Sequence, residues 1–397
     1  MRRPVLVTLC SILLVVTTTV SVYANAATNA VLGTYADDAT DASPPVALAP
    51  QPPAFSISTP RPTGQFVYGT HIGALDHAPL ASKDGFNLMW AYVPWQQVEP
   101  ERGTFLFRKQ DKWGQPLPNA LSNVVSAAAG ANMKLILRID EVPAWAGGNP
   151  AHLDPADLEA YLYETVRYGR GTIQYVEVFN EVNLPYEWGG PPDPYAYARL
   201  LAAAYRGVKR ADPNVAVVSA AASQRTGGLG GSMEDVDWLS GLYQAGGANS
   251  FDLLGMHAYL GSFAPETDPA ACAPMCFRDV ERFRDVMLHN GDANKQAFIT
   301  EMGVLAQTSN DLGPYAWMEL PPDTRGDYLV RALQMANGNY PWIRGAMLFN
   351  FDYATVPWNA PTSEKYWFSL TTSSPNGPME TTALARFKQA RASGTLP

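Results

Sequence analysis

The chain has 397 residues, room for one large domain or two ordinary ones. With 47% hydrophobic and 16% charged residues, it has the composition of a globular protein with a sizeable core. Its formal charge of −9 argues against nucleic-acid binding, which needs a basic face for phosphate.

The first 26 residues read MRRPVLVTLCSILLVVTTTVSVYANA. Arg2 and Arg3 precede a mostly apolar stretch, and Ala24-Asn25-Ala26 forms an A-x-A cleavage site. This predicts a secretory signal peptide over residues 1–26, a secreted protein and no stable membrane insertion once the signal is removed. Left uncleaved, the same segment would be a membrane anchor. Residues 27–63 are rich in Ala, Thr and Pro, with seven prolines between Pro44 and Pro62, and they show no hydrophobic periodicity. They read as a linker to a catalytic domain spanning 64–397.

From residue 64 the rhythm changes. Eight apolar runs of strand length follow: 65–73, 86–93, 133–140, 175–181, 215–223, 251–260, 297–304 and 345–353. Near-continuous apolar runs suit parallel strands covered on both faces. Helices are expected between them, near 119–130, 235–246, 278–290, 323–337 and 380–392. Two more begin at Asp154-Pro155 and Asp193-Pro194, each a cap residue followed by a first-turn proline. The connection 74–85 is short, and its helix is the weakest signal. Eight β-α units predict an α/β fold, a (β/α)8 TIM barrel. A doubly wound sheet would advertise a glycine-rich first turn, which GTHIG does not supply.

In such a barrel the C-terminal strand ends form the reactive face. Strand one ends with His71, strand three with Arg138 through Glu141, and strand four with Asn180-Glu181. Strand six ends with His257 through Tyr259, and strand seven with Thr300-Glu301. Two carboxylates facing across one pocket suit glycoside hydrolysis, with one donating a proton and the other attacking. A buried strand otherwise has little use for Glu181 at its tip. Regular alternation puts Glu177 on the same side as Glu181, with Arg138 as its expected partner.

Cys10 lies in the signal. Cys272 and Cys276, in CAPMC, are an even pair in an exported chain and read as a disulfide closing a small loop. A metal site is a poor rival, since no His or further Cys lies nearby in sequence. The five histidines are scattered without H-E-x-x-H, and no G-x-S-x-G elbow is present. No cofactor is expected.

The segments FNE (179–181), H-A-Y (257–259) and ITE (299–301) resemble the strand ends of clan A glycoside hydrolases, the retaining (β/α)8 glycosidases. The stretch WAYVPWQQVEPERGTFLF (90–107) is similar to the strand-two region of family 39 and family 5 enzymes. The resemblance covers roughly residues 64–391. It implies that Glu181 is the acid/base, that Glu301 is the nucleophile, that Asn180 meets the sugar 2-hydroxyl and that Tyr259 orients Glu301. The chain departs from the clan at strand eight, where MLFNFDY stands in place of the usual Trp, and at strand three, where Arg138 and Asp140 replace a common His.

Each candidate also has an ordinary reading. His257 could be a core histidine, His71 could support the site from behind, Arg138 could be an ion-pair partner, and Asn180 could close a turn. Trp95, Trp145, Tyr186, Trp188, Tyr353, Trp358 and Trp367 all follow strand ends; some should stack on sugar, with Trp145 and Trp358 the chosen candidates, although aromatics also fill cores. The sequence therefore predicts a secreted retaining β-glycosidase acting on a carbohydrate. A transglycosylase using the same residues and a non-catalytic carbohydrate-binding barrel are the alternatives.

Overall fold

The computed structural model describes residues 66–108 and 120–396. The expected signal peptide and linker lie outside the described residues. Among the described residues, no helix is long and apolar enough to cross a membrane.

Eight parallel strands close into a barrel: β1 Val67–His71, β2 Leu88–Trp90, β3 Lys134–Arg138, β4 Ile173–Val178, β5 Ala216–Ser219, β6 Leu253–His257, β7 Gln296–Met302 and β8 Ile343–Leu348. Each pairs with its sequence neighbour, and β8 returns to β1 in the register Val67↔Gly345 through Thr70↔Leu348. A principal helix follows each strand: α1 Ala78–Lys83, α2 Leu121–Gly130, α3 Pro155–Tyr168, α4 Pro194–Ala211, α5 Asp235–Gln244, α6 Val280–His289, α7 Pro322–Gln334 and α8 Thr382–Ala392. This is the expected (β/α)8 architecture, with all eight strands in the predicted order.

The cap signals work as read. Asp154 accepts from the Ala156 amide at 2.9 Å, and Asp193 accepts from Tyr195 and Ala196 at 2.9 Å each. Both satisfy backbone donors that the first helical turn leaves open. The sequence reading did not include two small two-stranded pieces, 305–306 with 319–320 and 371–374 with 377–380.

Two apolar layers form the core. Leu88, Trp90, Ile136, Tyr175, Ala216, Val218, Leu253, Phe298 and Met347 pack together inside the barrel. Their sequence neighbours Met89, Leu135, Leu137, Val176, Val217, Leu254, Ala297, Ile299, Ala346 and Leu348 face the helices. This is the period-two alternation of strands. Strand ends therefore deliver side chains at alternate positions: His71, Trp90, Arg138 and His257 continue the inward rows of β1, β2, β3 and β6.

β5 and β6 approach closely at Gly255. The Gly255 amide donates to Ser219 Oγ at 3.0 Å, and a Cβ at Gly255 would collide with the Ser219 carbonyl oxygen. Backbone cannot yield as a flexible side chain can. Gly255→Ala should therefore cost about 1–3 kcal/mol, the usual penalty of overpacking. Urea unfolding would check this, and an unchanged midpoint would contradict it.

Candidate active site

Arg138, at the end of β3, organises the face. Its Nη1 donates to Glu301 Oε1 at 2.8 Å and to Asn180 Oδ1 at 2.9 Å, while Nε donates to Asp140 Oδ1 at 3.1 Å. Its guanidinium lies 4.6 Å from the centre of the Trp90 ring. Burial works against this charge, but Asp140, Glu301, Glu177 and Glu187 together favour it more strongly.

Glu301 is 8% exposed. Tyr259 donates its hydroxyl to Oε2 at 2.7 Å, and His257 Nε2 lies 3.9 Å from the same oxygen. Burial pushes the Glu301 carboxyl up; His257, His71, Arg138 and the Tyr259 hydroxyl outweigh it and hold the pKa at about 2. His71 contributes little of this near neutrality. Burial lowers its own pKa to about 4, so it is then uncharged. Its Nε2 faces the Thr300 carbonyl oxygen at 3.1 Å and must be the protonated nitrogen, because a carbonyl only accepts. Its ring packs 4.7 Å from Trp90 and 5.2 Å from Phe349.

Glu181 is half-buried, and its Oε1 lies 2.8 Å from His257 Nδ1. One imidazole thus faces both carboxylates. Burial opposes a charge on His257, but Glu301 and Glu181, with Glu177 behind them, raise its pKa to about 9.

Both carboxylates reach this position through breaks in strand phase. On β7, Met256 pairs with Ile299 but the next residue, His257, pairs with Glu301. Thr300 is the extra residue of a bulge, and it turns Glu301 inward where alternation from Phe298 would have turned it out. On β4, Phe179 has φ +70° and Glu181 has φ +36°. Phe179 consequently joins the outer layer, although it follows Tyr175 and Glu177 by regular steps of two.

Glu177 and Arg138 act on each other's charge as expected but make no direct hydrogen bond or ion pair. Glu177 stands opposite Arg138 in the β3–β4 register, yet the guanidinium reaches upward to Glu301, Asp140 and Asn180. Glu177 Oε1 is buried without a hydrogen-bond partner, and burial raises the carboxyl to about 7.

The aromatics divide clearly. Trp95 and Trp188 are core residues, 0% and 2% exposed. Trp145 donates its indole N–H to the Glu99 carbonyl at 2.9 Å and lies edge-on to Trp95, so its contacts are in the β2–α2 loop. Trp367 is tied to the Pro361 carbonyl at 2.8 Å. Trp358 is 61% exposed on the β8 loop, edge-on to Tyr353, whose ring meets Phe349. Phe349 occupies the strand-eight tip and packs edge-on against His71 and Tyr259. Asn350 and Asp352 are structural: Asn350 bonds the Lys365 carbonyl and the Tyr353 amide, and Asp352 binds the amides of Gly73 and Ala74 and the His77 ring.

Three residues at the site were not anticipated. Trp90 carries Arg138 on its ring. Tyr315, on the turn Gly313–Met318 after β7, has its hydroxyl pKa raised by burial and by the charges of Glu364 and Glu181. Glu187, on the single helical turn Pro185–Trp188, accepts from Asn180 Nδ2 at 3.3 Å. Burial and the neighbouring Glu181 push Glu187 up to about 7. The signal for Glu187 was available: a proline restarting a helix just after Glu181 brings the following residues back over the strand end.

Away from the carboxylates, Cys272 and Cys276 Sγ lie 2.00 Å apart in the loop after β6. Asp279 is close to both, but its carboxylate is occupied by Arg225 and the Cys276 amide.

No family model matches the chain, and no curated protein matches it. Solved structures share its fold. A family 39 glycoside hydrolase from Bacteroides cellulosilyticus WH2 superposes with TM-score 0.59 at 17% identity, over 82% of this chain and 63% of that one. A glucosidase from Croceicoccus marinus gives TM-score 0.55 at 15% identity, over 82% of this chain and 66% of that one. XacCel5A, solved in complex with cellopentaose, gives TM-score 0.52 at 12% identity, over 82% of this chain and 99% of that one. The chain thus spans slightly less than two-thirds of the first two proteins. The fold is the barrel of these (β/α)8 glycosidases, as the strand-end motifs implied.

The His257 environment has a pH signature. Its folded-state pKa of about 9 exceeds the ordinary 6.5. Stability from its charge is therefore fully present below about pH 6.5 and is lost as pH rises through about 9. Over that window it is worth up to about 3 kcal/mol. His257→Gln should show a flatter decline in urea-unfolding free energy than the parent protein. Parallel declines would show that the imidazole carries no such charge.

Proposed function

We propose that the protein is a secreted retaining glycoside hydrolase that cleaves O-glycosidic bonds of a poly- or oligosaccharide by double displacement. The observation that carries this reading is the unequal treatment of two facing carboxylates. Glu301 is sealed in and accepts from Arg138 and Tyr259, as suits an ionised nucleophile; Glu181 is the more open of the two, with one oxygen turned to His257. The shared barrel fold supports the same class, and the cellopentaose bound to XacCel5A offers a carbohydrate precedent.

In the first step Glu301 attacks the anomeric carbon, the glycosidic C–O bond breaks, and Glu181 gives its proton to the departing oxygen. In the second, Glu181 takes a proton from water, whose oxygen attacks the same carbon and releases Glu301. Two inversions leave the configuration unchanged. Arg138 and Tyr259 hold Glu301 in place while it loses and regains its charge. Asn180, beside Glu181, faces the sugar 2-hydroxyl; His71, buried against Trp90 and Phe349, supports the site from behind, and the exposed Trp358 is the proposed outer substrate-side residue, whereas Trp145 is held within the β2–α2 loop.

Glu181→Ala should lose about 10²–10⁴-fold on glycosides with poor leaving groups and much less in the first step on dinitrophenyl glycosides, which depart without a proton. Added azide should then yield the glycosyl azide of retained configuration. Glu301→Ala should be inactive on both substrates, with azide yielding the inverted product. Equal losses for the two variants on both substrates, with no retained azide product, would reject these roles.

We also propose that Cys272 and Cys276 are joined as a disulfide in the exported protein, shaping the loop that carries Tyr259. So short a loop adds little chain-entropy stabilisation, so its use is local. The intact mass of the unreduced protein should be two hydrogens light, and alkylation without reductant at both thiols would refute the bond.

A further inference from the structure

Asn180 is held at both ends of its amide. Oδ1 accepts from Arg138 Nη1 at 2.9 Å, and Nδ2 donates to Glu187 Oε1 at 3.3 Å. A primary amide has two N–H bonds. Glu187 takes one, and the other has no partner among the described residues, at a half-buried position beside Glu181 at the strand ends.

The two partners do different things. Arg138 only donates, so it decides which end of the amide faces β3. It leaves the tilt of the amide plane undetermined, and Glu187 determines it. The turn that carries Glu187 is firmly placed. Leu184 donates its amide to the Glu181 carbonyl at 2.8 Å, Pro185 opens the turn, and Gly189 closes it at φ +96°. Trp188 is buried 2% exposed against Tyr197, while Tyr186 beside it faces solvent at 63%. Glu187 is therefore the one side chain of this turn directed at the site. The charged groups facing it are Glu181 on the same loop, Arg138 at the end of β3 and Asp140 just beyond it.

We propose that Glu187 is a positioning residue: it fixes the Asn180 amide so that the remaining N–H meets the sugar hydroxyl next to the reacting carbon. This rests on the glycosidase reading above and adds to it a residue that does not touch the reacting atoms. A carboxylate on one N–H also polarises the amide and strengthens its bond to Arg138. Glu187, Asn180, Arg138 and Glu301 then form one hydrogen-bonded line across the mouth of the barrel.

Hydrogen bonds to the 2-hydroxyl strengthen in the transition state of this reaction. Losing the alignment should therefore lower kcat more than it raises KM. The test uses a panel of 4-nitrophenyl glycosides and the 2-deoxy analogue of whichever sugar is cleaved. Glu187→Ala should lose roughly tenfold in kcat/KM on the 2-hydroxy substrate and less than about twofold on the 2-deoxy one, the scale of one charge-assisted hydrogen bond. Glu187→Gln, whose side-chain oxygen can still accept, should retain most of the activity. Adding Glu187→Ala to Asn180→Ala should change little further. Equal losses on both substrates, or no loss on either, would overturn the inference. Turnover abolished by Glu301→Ala yet indifferent to Glu187→Ala would overturn it while leaving the glycosidase reading intact. A wild-type protein that cleaves no glycoside would take both down.

Discussion

A guanidinium nearly removed from water has to be neutralised by its surroundings, and most of the reactive face can be understood as the way Arg138 is neutralised. Its planar fork offers several donors in fixed directions. Three of them are answered by Asp140, Asn180 and Glu301, and the flat side rests on Trp90. Each partner comes from a different place: the β3 tip, the β4 tip, the β7 bulge and the β2 tip. The charge thus ties four strand ends to one point. Removing any one partner would leave the others arranged around an imperfectly matched cation, which is costly in a low-dielectric site.

Strand-end chemistry was legible in the sequence because the barrel makes it so. Eight apolar runs marked eight strands, and the residues closing each run lie together on the C-terminal face of the barrel, where the site is proposed. Alternation also predicts correctly which residues of β1, β2, β3 and β6 point inward. It fails at Glu301 and at Phe179, the neighbour of the other carboxylate, and for a physical reason. Glu301 faces in only because Thr300 bulges, and Glu181 is set by left-handed backbone at Phe179 and at Glu181 itself. Neither break has a signature such as glycine or proline. A strict two-residue period would have pointed Glu301 at the helices. The motif ITE identified the residue where periodicity alone would have misplaced it.

The remaining differences have a common origin. Long side chains do not stay at the height of their own Cα. Arg138 stands level with Glu177 in the register but spends its donors one layer higher, leaving Glu177 Oε1 buried without a hydrogen bond. Aromatic residues after strand ends look alike in sequence, yet the fold uses them differently: Trp95 and Trp188 fill the core, Trp145 and Trp367 bind loop carbonyls, and Trp358 and Tyr186 are exposed. Glu187 was passed over because it sits beyond a strand, inside a loop. Only the one-turn helix that follows Asn183-Leu184 brings it back to Asn180.

The join between the first and last strands bears on how the chain folds. Val67 through Thr70 pair with Gly345 through Leu348, and Thr70 Oγ1 donates to the Leu348 carbonyl across 278 residues of sequence. Until β8 arrives, β1 and β7 are raw edges with unmatched amides and carbonyls, the kind of surface that recruits other chains. The strand synthesised first must wait for the one synthesised last. Such non-local closure makes folding slow and leaves partly built sheets exposed to aggregation meanwhile. The strand-end cluster shares that fate, because Glu301 on β7 and Phe349 beyond β8 come with the last two strands, so the proposed site is assembled only once the ring is complete.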